Sequence, residues 1–341
     1  MGKYTKMTAF AASLMIASCS GTTVEQSETT PPDVETALSD AAEAGAPDMA
    51  KPSGPPPSFM KKVDMSDIEN QHLNVAYAGD SAAQVLDVFI PEGEGPFPAV
   101  VLIHGGAFKM GSKEMDYGHA RALLDNGYVA ISINYRLSGE AVFPAAVHDS
   151  KAAIRFIRAN ADTYKIDADN IGAWGASAGG NLTAMMATSS GDAFAEGEVG
   201  DYLDTSAGVD AAINWFGPMN FSTMVPEGLE LGFQDSYNVD LESSYIGMDA
   251  MDPANIDVVT AANPTTYLDP SDPPIWTVVG DADPLIPYTQ SINFYEAAKA
   301  AIGEDKATFT MLEGAGHGGP QFEDPALLQS SVEFFDKYLK E

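Results

Sequence analysis

Apolar and polar positions from Phe59 onward follow two alternating rhythms. Residues 83–90, 99–103, 128–134, 171–174, 211–216, 275–279 and 308–312 are rich in β-branched and aromatic side chains. The run 99–103 is continuously apolar, as in a strand covered on both faces. Between these runs lie helical patterns over residues 119–125, 144–160 and 178–188, the second with Val147, Ile154 and Ile157 on one face. Near the end, Leu328, Val332, Phe335 and Leu339 recur at spacings of four, three and four, an apolar stripe that has to pack on something. Strands alternating with helices predict an α/β fold with a mostly parallel central sheet and helices on both faces. Such sheets gather chemistry at the carboxyl ends of their strands, so the loops after Ile103, Trp174 and Val279 are where site residues are expected.

The rhythm is missing from the first 58 residues. Lys3 and Lys6 precede a short apolar run over residues 7–17, followed by Ile16-Ala17-Ser18 and Cys19, the one cysteine of the chain. About ten apolar residues do not span a hydrocarbon layer of roughly 30 Å as a helix, which predicts a signal-peptide core and export. The four residues ending at Cys19 resemble the bacterial lipoprotein signal. That resemblance implies a signal peptide over residues 1–18, lipidation of Cys19 as the only membrane attachment, and, from Ser20, sorting to an outer membrane; a non-lipidated signal peptide is the alternative. Residues 20–58 hold seven prolines, seven acidic residues, Lys51 and no aromatic residue. Such a segment buries too little apolar surface to offset its ordering entropy, and residues 19–58 are expected to form an extended tether. Residues 59–341 suit one large domain.

Charge narrows the partners. The chain has 17 basic against 49 acidic residues, a net charge of −32, which becomes 15 − 49 = −34 once Lys3 and Lys6 are removed with the signal peptide. Such a surface repels phosphate backbones and acidic headgroups, which excludes nucleic acid as a partner class. Charged residues are 19% of the chain, below the roughly 25% of typical domains, so the acidity reflects scarce Lys and Arg. It fits a saline habitat as well as a merely acidic secreted protein.

After Trp174 comes Gly175-Ala176-Ser177-Ala178-Gly179, a G-x-S-x-G between a short strand and a helix. A tight strand-to-helix turn there lifts a serine hydroxyl clear of the sheet as a nucleophile, and flanking glycines leave room for close packing. The competing expectation is a glycine-rich turn with Ser177 as a helix cap. After Ile103 comes His104-Gly105-Gly106-Ala107-Phe108, whose small residues let amides of Gly106 and Ala107 point at a developing oxyanion, joined by Ala178 at the positive end of the following helix. His104 is expected to be architectural.

A serine hydroxyl needs a base. Of the five histidines, His72, His104, His119 and His148 precede the serine, and only His317, in a Gly-rich loop before the last helix, follows it. An acid is needed to hold the imidazole, and Gly280-Asp281-Ala282-Asp283 offers two carboxylates that spacing alone does not separate.

Taken together, these motifs are similar to those of the α/β-hydrolase superfamily, in particular its hormone-sensitive-lipase-like and bacterial acetyl-xylan and feruloyl esterase groups. The resemblance covers about residues 68–341. It implies the order Ser177, Asp283, His317 for nucleophile, acid and base, with Asp281 a turn or capping residue and Arg136 pairing structurally with Asp149. It implies a serine carboxylic-ester hydrolase, needing no cofactor and no metal, acting on short-chain or carbohydrate (acetyl or feruloyl) esters. The alternatives are a serine peptidase of the same superfamily and a non-catalytic binding protein on this scaffold. Residues 217–274, between two core strands, carry Met219, Phe221, Met224, Phe233, Tyr237 and Tyr245 and are expected to form a lid or pocket wall. The acidic surface disfavours anionic substrates. Oligomeric state leaves no signature.

Overall fold

The computed structural model describes residues 63–232 and 239–340; the signal segment, Cys19, the tether, Phe233 and Tyr237 lie outside them. The described residues build one eight-stranded sheet in the order β1-β2-β4-β3-β5-β6-β7-β8. These strands are β1 (Gln71–Ala76), β2 (Val85–Phe89), β3 (Phe97–Ile103), β4 (Val129–Ile133), β5 (Ile166–Ala176), β6 (Ala211–Trp215), β7 (Ile275–Gly280) and β8 (Ala307–Leu312). The β1/β2 and β2/β4 pairs are antiparallel and all others parallel, the mostly parallel arrangement of an α/β-hydrolase sheet.

Alternation along the strands decides what each face meets. On β3, Val101 and Ile103 face a cluster with Val147, Ile154 and Ile157 of helix α2 (Ala145–Ala159) and Leu182 and Met185 of α3 (Ala178–Thr188). Val100 and Leu102 face the other way, toward Leu123 of α1 (Tyr117–Asp125) and Val332, Phe335 and Leu339 of α8 (Pro325–Leu339). All of these are essentially inaccessible, and each buried side chain of this size contributes about 1.5–3 kcal/mol. The terminal apolar stripe thus covers the face that α1 shares. β1 escapes the apolar rhythm because it is an edge strand with Leu73 half exposed and a register irregularity between His72 and Val75.

The chain between β6 and β7 is helical: α4 (Phe221–Glu230), α5 (Val239–Ile246) and α6 (Ile256–Ala261), with short 3₁₀ turns. Met219, Phe221, Met224 and Tyr245 are buried within it. Helix α7 (Tyr288–Ile302) follows β7 and pins the start of this segment: the Gln290 side-chain carbonyl accepts from the amides of Met219 (3.0 Å) and Asn220 (2.7 Å).

In the first turns of α2 sits a fully buried carboxylate, Asp149. It accepts from Gln84 Nε2 (2.8 Å), the Arg136 amide (2.8 Å) and the Arg136 guanidinium (2.7 Å). These bonds lock β4's exit to α2. Asp149→Ala strands a guanidinium and a buried amide, so it is expected to cost about 3–5 kcal/mol of unfolding free energy in urea titration. A loss below about 1 kcal/mol would show that water replaces the pair.

Candidate active site

Ser177 joins β5 to α3 with φ 56° and ψ −123°, a conformation that costs a non-glycine residue about 1–3 kcal/mol. The turn is held by Ser177 N donating to the Trp215 carbonyl (2.9 Å). It also demands bare neighbours: a Cβ on Gly175 would sit 2.3 Å from the Gly179 carbonyl oxygen, and one on Gly179 would sit 1.8 Å from that of Ile103. The Ser177 side chain makes no capping bond to the helix it precedes. Its Oγ lies 2.8 Å from His317 Nε2 instead, so the capping alternative does not describe this serine.

His317 sits between β8 and α8, and its Nδ1 lies 2.8 Å from Asp283 Oδ2. With Nδ1–H donating to the carboxylate, Nε2 is the free acceptor for the serine proton. The other Asp283 oxygen accepts from the amides of Leu285 (2.8 Å) and Ile286 (3.0 Å), which holds the carboxylate in place. Asp281 does something different, since its Oδ1 accepts from the Gly314 amide at 2.6 Å and ties the acid loop to the histidine loop. The two loops touch by backbone as well, with Ala282 N donating to the Ala315 carbonyl. A Cβ on Gly280 would lie 2.2 Å from that carbonyl oxygen.

The loop after β3 closes the site. Gly106 has φ 117° and its Cβ would meet the Met110 carbonyl oxygen at 2.0 Å; Ala107 and Phe108 follow at φ 53° and 57°. Gly105 leaves room for Ala176 and Ser177, to which its Cβ would approach within 2.8 and 3.3 Å. Among the described residues, no backbone hydrogen bond of this loop uses the Gly106 or Ala107 amide as donor. Ala178, the first residue of α3, is one of the positions where a helix leaves its amide without an intrahelical partner. His104 is buried, stacked on Tyr135 at 4.4 Å, with Nδ1 2.7 Å from the Gly105 carbonyl. Burial pushes its pKa down, so it shapes the loop as a neutral ring. His119 stacks on Trp174 and His148 lies 2.8 Å from the Phe194 carbonyl; neither joins the serine.

Ser177 and His317 open into a cavity of about 70 Å³ walled by Phe108, Phe221, Met224, Leu241, Leu285 and Ile286. A larger cavity of about 210 Å³, near His119 and Trp215, is lined by neither Ser177 nor His317. Two residues of the site have no mark in the sequence. Phe216, at φ 40°, packs edge-on against the His317 ring at 4.7 Å. A positive φ at a bulky residue is set by its surroundings, here Phe216 N donating to the Val278 carbonyl. Glu242 on α5 also lines the smaller cavity. It is 2% exposed, and neither carboxylate oxygen has a hydrogen-bond partner among the described residues. Burial alone pushes its pKa up to about 8. An acidic residue within an acidic chain gives no warning of that burial.

The BD-FAE family model matches residues 86–298. The chain is 30% identical over 251 residues to Esterase LipC of Mycobacterium tuberculosis, covering 72% of this chain and 60% of that protein. It is 27% identical over 252 residues to Esterase LipQ of the same organism, covering 72% and 57%. The chain thus spans a little over half the length of these curated relatives. Among solved structures it is similar to a truncated form of a carbohydrate esterase from gut microbiota, with TM-score 0.72, 32% identity, and coverage of 82% of this chain and 100% of that one. A bifunctional GH43-CE protein of Bacteroides eggerthii gives TM-score 0.71 and 35% identity, covering 78% and 35%.

Two expectations follow from the geometry. At position 177, Gly is expected to be more stable than Ala by about 1 kcal/mol in denaturant titration, reversing their usual order, because only Gly adopts this backbone without strain. Glu242 gives a pH dependence. Between its ordinary value of 4.5 and about 8 the folded chain keeps a proton that the unfolded chain releases. Stability therefore falls as pH rises through that window, by at most about 1.4 kcal/mol per unit. In melting curves from pH 5 to 8, Glu242→Gln is expected to flatten this decline; an unaltered slope would contradict it.

Proposed function

This chain belongs to the BD-FAE family, a hormone-sensitive-lipase-like group of α/β-hydrolases, and on that premise we propose that it is a serine carboxylic-ester hydrolase. Ser177 Oγ attacks the ester carbonyl carbon while His317 Nε2 takes the hydroxyl proton and Asp283 stabilises the imidazolium. Amides of Gly106, Ala107 and Ala178 receive the oxyanion. The imidazolium then gives its proton to the departing alcohol oxygen, leaving an acyl-serine. A water loses a proton to His317 and attacks the acyl carbon; His317 then returns that proton to Ser177 Oγ as the acid departs, which restores the free serine and the neutral imidazole. The observation that carries this reading is the unbroken chain Asp283–His317–Ser177 with both links at 2.8 Å.

The substrate is a neutral short-chain or carbohydrate ester. The cavity at Ser177, about 70 Å³ against about 210 Å³ for the neighbouring one, is the smaller of the two, which favours acetyl over feruloyl as the group it accepts. Similarity to the gut-microbial carbohydrate esterase supports the carbohydrate side of the ester. The enzyme is exported and tethered at a membrane through lipidated Cys19, a reading supported by residues 1–58 of the sequence.

The purified chain is expected to hydrolyse p-nitrophenyl acetate and to release acetate from acetylated xylan fragments, with rates falling from acetyl to octanoyl esters. Ser177→Ala is expected to lower kcat at least about 10⁴-fold, and Asp283→Asn by about 10⁴-fold with Ser177 retained. A fluorophosphonate probe should label the parent chain and not Ser177→Ala. Faster cleavage of aminoacyl anilides than of esters would favour a peptidase, and an unlabelled parent would leave a binding protein.

A further inference from the structure

We propose that Glu242 is a specificity-determining residue whose carboxyl hydrogen-bonds a hydroxyl group carried by the ester held at Ser177. This deepens the ester-hydrolase reading and rests on it.

Three observations converge. Glu242 lines the same cavity as Ser177 and His317. Its side chain is closed off from bulk water, and both oxygens lack a partner among the described residues. The other walls, from Phe108, Phe221, Met224, Leu241 and Leu285, are apolar. A carboxyl group buried in that way is destabilising when nothing pairs with it, and a group of this kind is retained most readily where something outside the chain pairs with it. Desolvation favours its protonated form near neutral pH, which both donates and accepts. A hydroxyl group does the same and matches it without bringing a charge into an apolar pocket; an anionic group has no counter-charge there, and a purely apolar one leaves the carboxyl unsatisfied. A site built to bond a hydroxyl discriminates strongly against the analogue that lacks it.

The test uses two matched pairs that differ by one hydroxyl. In one the hydroxyl is on the acyl side (p-nitrophenyl 3-hydroxybutyrate against butyrate), in the other on the alcohol side (2-hydroxyethyl acetate against propyl acetate). The parent chain, Glu242→Gln and Glu242→Leu are compared by kcat/KM, and the same esters are titrated calorimetrically into Ser177→Ala with and without Glu242→Leu. In one of the pairs the parent is expected to prefer the hydroxylated ester, Glu242→Leu to reduce that ratio roughly 10- to 100-fold, and Glu242→Gln to retain most of it. Which pair responds tells whether the acyl or the alcohol portion enters the cavity. Hydrolysis of both pairs with ratios that Glu242→Leu leaves unchanged overturns the inference and spares the esterase reading, even if the variant melts higher, since relief of a buried carboxyl alone does that. No hydrolysis by the parent, with tighter binding of the hydroxylated ester that Glu242→Leu abolishes, overturns the esterase reading and leaves Glu242 as the recognition group.

Discussion

The site depends on backbone touching backbone at the carboxyl ends of β3 and β5. The α3 helix can start directly after Ser177 only because Gly179 lies against the Ile103 carbonyl, in a space that a methyl group would overfill. That contact presses the β3 loop onto the β5 turn, which is why Gly105 is bare where it passes Ala176. The strain of Ser177 is held from both sides, by Trp215 accepting its amide and by Asn181 donating to its carbonyl. A hydroxyl on a relaxed loop would sample many positions; that of Ser177, wedged between three strand ends, is held near one.

The same close packing explains what the sequence made legible. Central strands and the helices beside them were readable because each buries one apolar stripe, and the serine turn because glycines bracket it at a strand-to-helix junction. His317 was reachable by elimination. The choice between Asp281 and Asp283 was not, since both follow the same buried strand. What separates them is which amides lie near each oxygen: those of Leu285 and Ile286 for Asp283, that of Gly314 for Asp281. Those partners depend on where the histidine loop crosses, which is tertiary information; only the family resemblance pointed to Asp283 beforehand. Phe216 and Glu242 were silent for the same reason, because nothing local sets a positive φ at one or removes water from the other.

The region between β6 and β7 looked from its composition like a cover of loosely specified shape. Its beginning is firmly tied. Gln290 accepts two successive amides, Asn263 Oδ1 accepts the Phe221 amide at 2.8 Å, and Thr265 donates to the Met219 carbonyl. Because Gln290 and Asn263 are buried, breaking these bonds would leave polar groups stranded, which makes the arrangement costly to open. The wall that carries Phe221 and Met224 is thereby fixed to α7 and to the 3₁₀ turn that follows α6, so the cavity's shape belongs to the fold.

Charge distribution adds a last constraint on what reaches that cavity. Basic residues are few, and several of them are turned inward: Lys113 onto Asp87, Lys151 and Arg155 onto Glu196, Arg136 onto Asp149. Lys113, Lys151 and Arg155 are almost wholly buried. Each such pair takes a cation and its carboxylate out of play together, so the net charge stays strongly negative while few cations remain to offset it. At an ionic strength near 0.15 M that field is screened beyond about 8 Å, yet within that distance it acts on whatever approaches the molecule. An anion would have to cross it and would then find apolar walls and a carboxyl; a neutral polar molecule meets neither obstacle. Exterior repulsion disfavours anions, and the hydroxyl pairing proposed for Glu242 would favour an uncharged, hydrogen-bonding ligand, so two independent physical effects support the same proposal.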